Sequence, residues 1–327
     1  MKRVLITGAT GFLGGYVVDE FYRKGYHIIA TGRDAEKLQK LKRQRVAIWQ
    51  GDLSDLSRLT KRVDVVVHVA ARSTVWGAWQ HFYNDNVIGT QHVINFCHQN
   101  KVQRLVFISS PSVYSGRGDK LHIKEDNFDG NNQLNNYIRS KIEAERCVMQ
   151  AHEDDLETVI LRPRGLIGIG DTSIVPRLLG ANDMFGIPLF HDGNNLVDLT
   201  CVENVALATR LAAESPKAVG NVYNITNDEP KELKTILDKL FTNIQVIPRY
   251  KRRNITLFYV LAAIIEVVYT LLRIAKEPPL TRYTVCTLGY SQTLDITKAK
   301  QDLGYKPIVS LTEGIKRYAA AHKRANY

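Results

Sequence analysis

The sequence predicts an α/β fold: a doubly wound parallel sheet with a smaller, mainly C-terminal second domain. Three observations predict it. Short strands that are apolar throughout, such as Val4-Leu5-Ile6, alternate with helical patterns, which calls for a sheet covered on both faces. A glycine triplet joins the first strand to the first helix, in Gly8-Ala9-Thr10-Gly11-Phe12-Leu13-Gly14. The chain has 327 residues, more than one minimal domain needs.

Arg3–Thr7 is the first strand and Gly14–Lys24 the first helix. In the turn between them, Gly8 allows the tight bend, Gly11 lets the backbone approach a pyrophosphate, and Gly14 lets the helix pack close to the sheet. The helix N-terminus then offers free N–H groups and a positive partial charge. Gly8, Thr10, Gly11, Phe12, Leu13 and Gly14 are therefore candidate dinucleotide-binding residues, and the fold is Rossmann-type. A tight βα turn with no ligand is the alternative, so residues further along must decide.

The second strand, His27–Thr31, runs into Gly32-Arg33-Asp34 and a helix over Asp34–Lys42. A basic residue at this strand end accommodates a 2′-phosphate. Arg33, with Lys37 one turn on, thus favours NADP(H). An Arg33 that only stacks on adenine would leave NAD(H) possible. Val46–Gln50 is the third strand, followed by Gly51-Asp52-Leu53. Asp52 either accepts the adenine amino hydrogens or caps the helix predicted over Leu53–Lys61. The fourth strand, Val63–Val69, ends in Ala70-Ala71, small residues that leave room for a nicotinamide-ribose. His68, on that strand, reads as packed and hydrogen-bonded.

A helix over Phe82–Gln99 leads to the fifth strand, Arg104–Ser109, which delivers Ser110 to the carboxyl edge of the sheet, where ligands bind in such folds. The helix over Asn135–His152 carries Tyr137 and Lys141 one turn apart, on one face. A phenol is a poor acid–base group at neutral pH, and a nearby ammonium lowers its pKa. Lys141 is also placed to hold ribose hydroxyls, and Ser110 to hydrogen-bond a carbonyl oxygen. Later strands fall at Thr158–Arg162 and Val222–Ile225. The expected division is a dinucleotide-binding domain over residues 1–165, with 195–226 returning to it, and a substrate domain over 166–194 and 227–327.

In this order the motifs resemble those of the extended short-chain dehydrogenases/reductases. Thr7 to Gly14 resembles that family's cofactor turn, Asp52-Leu53 its adenine-binding pair, Ala70-Ala71 its strand-four motif, and Asn86 its structural asparagine. Ser110, Tyr137 and Lys141 match its catalytic trio. Arg162-Pro163 resembles the opening of the segment beside the nicotinamide. The resemblance thus adds Ser109 and Pro163 to the cofactor contacts. Ser115 departs from the pattern where a glycine often follows Val-Tyr, which affects a local turn. The dehydratases' Thr-Asp-Glu is replaced by Ser110-Pro111-Ser112.

Trp76-Gly77-Ala78-Trp79, Asn195-Leu196-Val197-Asp198 and Glu277-Pro278-Pro279-Leu280-Thr281-Arg282 resemble the 3β-hydroxysteroid dehydrogenase-like branch. That branch implies hydride transfer between nicotinamide and a secondary alcohol or ketone of a small apolar substrate, either a long-chain 3-oxo/3-hydroxy acyl compound or a 3β-hydroxysteroid. The family also implies a homodimer. Two rival functions remain: an NAD-dependent nucleotide-sugar epimerase using the same trio, and a non-enzymatic NADP(H)-sensing protein, which has no need of a proton donor.

A net charge of +11 favours anionic partners, and no nucleic-acid motif accompanies it, so nucleic acid is not expected. The four cysteines form no Cys-x-x-Cys pair, so a reduced, cytoplasmic chain without metal is expected. The first strand begins at once and leaves no room for a secretory signal. Ile255–Ile274 is rich in Leu, Ile, Val and Tyr with Glu266 near its middle; Arg249, Lys251, Arg252 and Arg253 precede it, and Arg273 and Lys276 flank its end. It reads as a helix lining an apolar pocket, as a helix docked on a membrane surface, or as a span. Trp76 and Trp79 are candidate pocket walls or ordinary core. Arg177 and Arg282 are candidates for an anionic head group, or solvated or salt-bridged surface charges. Tyr318–Tyr327 reads as a helix end and a frayed basic terminus.

Overall fold

The computed structural model describes residues 2–325; the last two residues of the expected basic terminus lie outside them. The chain opens with β1 (Arg3–Thr7), α1 (Phe12–Arg23), β2 (His27–Gly32), α2 (Ala35–Leu41), β3 (Val46–Gln50) and β4 (Val65–His68). A helical stretch follows: α3 (Trp79–Phe82), a π-helical segment (Tyr83–Ile88) and α4 (Gly89–Gln99). Next come β5 (Arg104–Ile108), β6 (Lys120–Ile123), α5 (Asn136–Glu153) and β7 (Glu157–Pro163). The chain then crosses to a second lobe and back through β8 (Leu166–Ile167), α6 (Ile174–Met184), β9 (Ile187–Leu189), β10 (Leu196–Val197), β11 (Thr200–Cys201), α7 (Val202–Glu214) and β12 (Asn221–Ile225). It ends with β13 (Lys231–Glu232), α8 (Leu233–Ile244), β14 (Tyr250–Arg252), α9 (Ile255–Leu271), α10 (Arg282–Gly289), β15 (Gln292–Leu294), α11 (Thr297–Leu303) and α12 (Leu311–Ala325).

Seven parallel strands form the main sheet in the order β12-β7-β5-β4-β1-β2-β3. Val4, Leu5 and Ile6 of β1 are fully buried, as a central strand covered on both sides must be. On one face α1 and α7 pack together through Val17, Val18 and Phe21 against Val205, Ala208 and Ala212. Alanine along α7 allows that close approach. On the other face α4 and α5 contribute Val93, Phe96, Ala144 and Val148. The strand order reverses at β1, flanked by β2 and β4, so a crevice opens at their carboxyl ends.

The second lobe is held by α8 against α12, through Leu237, Leu240 and Phe241 with Leu311, Ile315 and Tyr318. Residues 195–226 supply α7 and the edge strand β12 to the main body. Ile296, Ala299, Leu303 and Tyr305, within the stretch assigned to the substrate domain, also lie in the main core. The chain therefore returns to the first lobe twice.

Several element boundaries differ from expectation. The helix expected over Leu53–Lys61 is a 3-10 helix, Leu53–Arg58, capped by the Asp52 carboxylate. The fourth strand, Val65–His68, is shorter than Val63–Val69, and the Asp64 carboxylate before it accepts the Arg3 backbone N–H at 2.7 Å. The helix expected from Phe82 begins at Trp79 and carries the π-helical segment.

Candidate active site

A cavity of about 1390 Å³ occupies the crevice and runs on into the second lobe. The turn from Gly8 to Gly14 forms its floor, with Thr10, Gly11, Phe12 and Leu13 on the surface. Gly8 has φ +66°, and a Cβ there would fall 2.7 Å from the Ala70 backbone. A Cβ on Gly14 would fall 2.1 Å from the Gly8 carbonyl oxygen. Only glycine fits either position. Gly11 caps α1 without a side-chain hydrogen bond, leaving the helix N-terminus free to meet an anion. This cradle fits a dinucleotide pyrophosphate.

Ala70 and Ala71 continue the wall, with Arg33, Asp52 and Leu53 at the far end. The exposed Arg33 guanidinium lies 4.0 Å from Asp52. Asp34 points away from this end. Its carboxylate caps α2 at the Lys37 N–H, 3.0 Å, and its pKa is lowered mainly by that bond. Asp52 is the helix cap, and it also lines the cavity wall.

Ser110, Tyr137 and Lys141 all line the cavity. Asn135 caps α5 by accepting the Ile138 N–H at 2.8 Å, which sets Tyr137 in the first turn and Lys141 one turn later. Ser110 caps the short helix Pro111–Tyr114. Its Oγ accepts from the Ser112 N–H at 3.2 Å and the Ser112 hydroxyl at 2.9 Å. With its acceptor sites used, the Ser110 O–H is left to donate into the cavity. Burial raises the Tyr137 pKa to about 12, while Ser110 pulls it down and Tyr283 pushes it up.

The expected lowering of that phenol by Lys141 is not what the structure shows. The Lys141 ammonium donates to the Ile108 carbonyl at 2.8 Å and lies 4.4 Å from the Phe107 ring centre. Burial brings its own pKa down to about 8, against an upward pull from Glu145. Burial is the largest influence on Tyr137 and Lys141 is not among the groups acting on it, so the phenol stays protonated at neutral pH.

Behind the trio is a buried polar network. Arg162 bonds both oxygens of Glu145, at 2.9 and 2.5 Å, the Tyr114 hydroxyl at 2.5 Å and the Glu125 carbonyl at 2.9 Å. Ser109 lines the cavity, but its hydroxyl donates to Glu145, so it braces β5 against α5. Pro163 lines the cavity directly. Asn86, in the π-helical segment, accepts from the Arg72 N–H at 2.7 Å and donates to the Arg72 carbonyl at 3.0 Å and to Ser140 at 2.8 Å. It thus ties the loop after β4 to the helix bearing Tyr137. His68 is buried between Thr7, 2.7 Å, and Thr90, 3.1 Å, and burial lowers its pKa to about 3. It is a packed histidine, as expected.

Of the four substrate-site candidates, three stand outside the cavity. Trp76 is turned to α9, donating to the Ile274 carbonyl at 3.1 Å and meeting the Tyr269 ring edge-on. Trp79 lies beneath the Arg139 guanidinium, 3.8 Å from it. Neither lines the cavity. Arg282 also stands outside it, because Glu266 accepts from its backbone N–H at 2.7 Å and its Nε at 2.6 Å. Arg177 does reach the cavity but is paired with Glu277 at 2.9 Å.

No residue of α9 lines the cavity, so the pocket-lining reading of Ile255–Ile274 fails. Among the described residues no helix is long and apolar enough to cross a membrane. Arg164 and Tyr283, which sequence reasoning passed over, and Asp198, singled out only as part of a branch motif, all line the cavity. The signal for Arg164 was its place directly after Pro163, at a strand's carboxyl end.

The model of the NAD dependent epimerase/dehydratase family matches residues 4–226. The 2-alkyl-3-oxoalkanoate reductase of Shewanella oneidensis is 33% identical, covering 98% of this chain and 86% of its own. The decarboxylating sterol-4-alpha-carboxylate 3-dehydrogenase of Mus musculus is 32% identical, covering 97% of this chain and 90% of its own. Among solved structures, MoeE5 in complex with UDP-glucuronic acid and NAD superposes with a TM-score of 0.78 at 24% identity, over 99% of both chains, a likeness of fold.

Proposed function

The chain belongs to the NAD dependent epimerase/dehydratase family and is an NAD(P)-dependent oxidoreductase, and from that premise we propose that it reduces the ketone of an apolar, long-chain 3-oxo acid. The observation carrying this substrate reading is the wall beyond Ser110 and Tyr137. It is built of Leu178, Ile187, Leu199, Leu233, Leu237 and Leu240, which suit an alkyl chain. A nucleotide sugar would set its diphosphate and hydroxyls against those carbons, which counts against the epimerase reading.

When bound, the nicotinamide supplies the hydride that the carbonyl carbon receives. The residues do the rest. Ser110 and Tyr137 donate hydrogen bonds to the carbonyl oxygen and stabilise the charge that builds there. Tyr137, a neutral acid, gives that oxygen its proton. Lys141 adds positive charge at the cavity wall and, turned from Ile108, has donors for ribose hydroxyls. The test is NADPH and NADH oxidation over 3-oxo acids and 3-ketosteroids of graded size, with UDP-hexoses alongside. Activity rising with alkyl length is expected; UDP-hexose interconversion without net cofactor oxidation would overturn the reading.

We further read the cofactor as NADP(H). Arg33 stands at the β2 end with Lys37 behind it, while Asp34 is spent on capping α2. Arg33→Ser is expected to lower the NADPH-over-NADH ratio of kcat/KM by about tenfold, the scale of one charge-assisted contact. An unchanged ratio would remove Arg33 from cofactor choice.

The partner of α9 is read as an anionic lipid surface. Leu257, Val260, Leu261, Ile264, Val267, Val268 and Leu271 form one exposed apolar face. The opposite face holds Ala262 and Glu266, packed on α10. Exposed Lys251, Arg252 and Arg253 precede the helix and Arg273 follows, so both ends meet anionic headgroups. Glu277, Pro278 and Pro279, just beyond α9, line the cavity, which brings its mouth to the same surface. Wild-type protein is expected to float with phosphatidylglycerol vesicles. Leu261→Asp/Ile264→Asp is expected to stay in solution with its activity on a soluble short-chain substrate retained. A protein that ignores such vesicles but dimerises through this face would contradict the lipid assignment.

A further inference from the structure

Arg164 is the outlying charge of the cavity. Its backbone is clamped on both sides, the N–H donating to the Ile225 carbonyl at 2.9 Å and the carbonyl accepting from the Thr200 hydroxyl. Its side chain lines the cavity and only 6% of the residue is exposed. Yet its Nε is buried without a partner, and among the described residues the guanidinium makes no hydrogen bond or ion pair. The other cationic side chains on the cavity wall are engaged. Arg72 is paired with Asp85 at 2.7 Å, Arg177 with Glu277 at 2.9 Å, Arg33 with Asp52 at 4.0 Å, and Lys141 donates to Ile108.

Asp198 is the carboxylate in electrostatic range of Arg164, but it forms no ion pair with it and accepts instead from the Leu294 N–H at 2.8 Å. β7 pairs with β5 as far as Leu161 against Ile108, so Arg164 and Ser110 leave neighbouring strand ends at one edge of the sheet, and Tyr137 and Tyr283 line the same cavity. A buried guanidinium with unused donors is costly unless something anionic completes it. Its planar fork suits a carboxylate.

We propose that Arg164 is the substrate-carboxylate site: it receives the acid group of a 3-oxo or 3-hydroxy acid whose C3 oxygen lies at Ser110 and Tyr137. The assignment rests on the oxidoreductase reading above and sharpens it. In a 3-oxo acid the carboxylate is separated from the ketone by one carbon, so one cation beside the proton donor serves both ends of that short unit. The apolar wall then takes the chain.

Binding and turnover are read separately. A saturated long-chain fatty acid and its methyl ester are titrated into the NADP-loaded protein, following tryptophan fluorescence. Wild type is expected to favour the acid, and Arg164→Met to lose about 10- to 100-fold in acid affinity with the ester little changed. Arg164→Lys should recover part of the loss. In turnover, the same change should abolish the preference for a 3-oxo acid over its methyl ester. Thermal stability should hold or rise, since Arg164→Met removes an unpaired buried charge. An acid-to-ester ratio unaltered in Arg164→Met would overturn the assignment. Acid-selective binding through Arg164, with no carbonyl reduced by wild type, would uphold it and count against the oxidoreductase reading alone.

Discussion

Tyr137→Phe is expected to lower turnover by about 10²- to 10⁴-fold, the usual contribution of a positioned acid. Dinucleotide affinity, measured by fluorescence titration, should remain close to that of the unaltered protein. The reasoning is local. The ring stays packed at the start of α5, capped by Asn135, and only the hydroxyl is lost. Ser110 still donates to the substrate oxygen, so binding survives while the proton has no donor.

The sign of the pH dependence follows from burial. A phenol whose pKa is raised to about 12 is protonated throughout the neutral range, so reduction has its acid ready. Alcohol oxidation needs the base form and should rise with pH. A variant with near-normal turnover would take Tyr137 out of the chemistry.

Arg162→Met is expected to cost about 3–5 kcal/mol of stability, the penalty for leaving one member of a buried ion pair uncompensated. Both side chains of the Arg162–Glu145 pair are within 2% of full burial. Glu145 would keep one hydrogen bond, from the Ser109 hydroxyl, and the more distant pull of Lys141, and Tyr114 would lose its donor. The loss should appear as a lower urea midpoint. Replacing both charges, Arg162→Met with Glu145→Leu, should recover much of it, because well-packed apolar pairs substitute for buried ion pairs at little cost. A single variant as stable as wild type would show that the network is not what joins β5, β7 and α5.

The main sheet was legible because most of its strands are short apolar runs bounded by turn residues, at a length more typical of a strand than of a helix. The site was legible because its parts lie at strand ends and in one helical turn, where position dictates direction. Short helices were not. Nothing in Leu53–Lys61 separates a 3-10 from an α-helix, and a π-helical segment at Tyr83–Ile88 has no periodic signature.

Side-chain destinations were the least legible. Trp76 and Arg282 sit in motifs near the cavity, but they turn to α9. Glu266 carried the missing clue: an acid amid the apolar residues of α9 needs a buried cation or N–H, and α10 supplies both. Arg164 was overlooked beside the family-like Arg162-Pro163, although a residue at that strand end faces the crevice.

The most direct test uses NADPH deuterated at the transferring position of nicotinamide C4, with a long-chain 3-oxo acid as substrate. One deuterium is expected on C3 of a 3-hydroxy acid for each NADPH consumed, and none with Tyr137→Phe on the same time scale. Deuterium that never leaves the cofactor, while a nucleotide sugar is interconverted on the protein, would contradict a net reductase built around Tyr137.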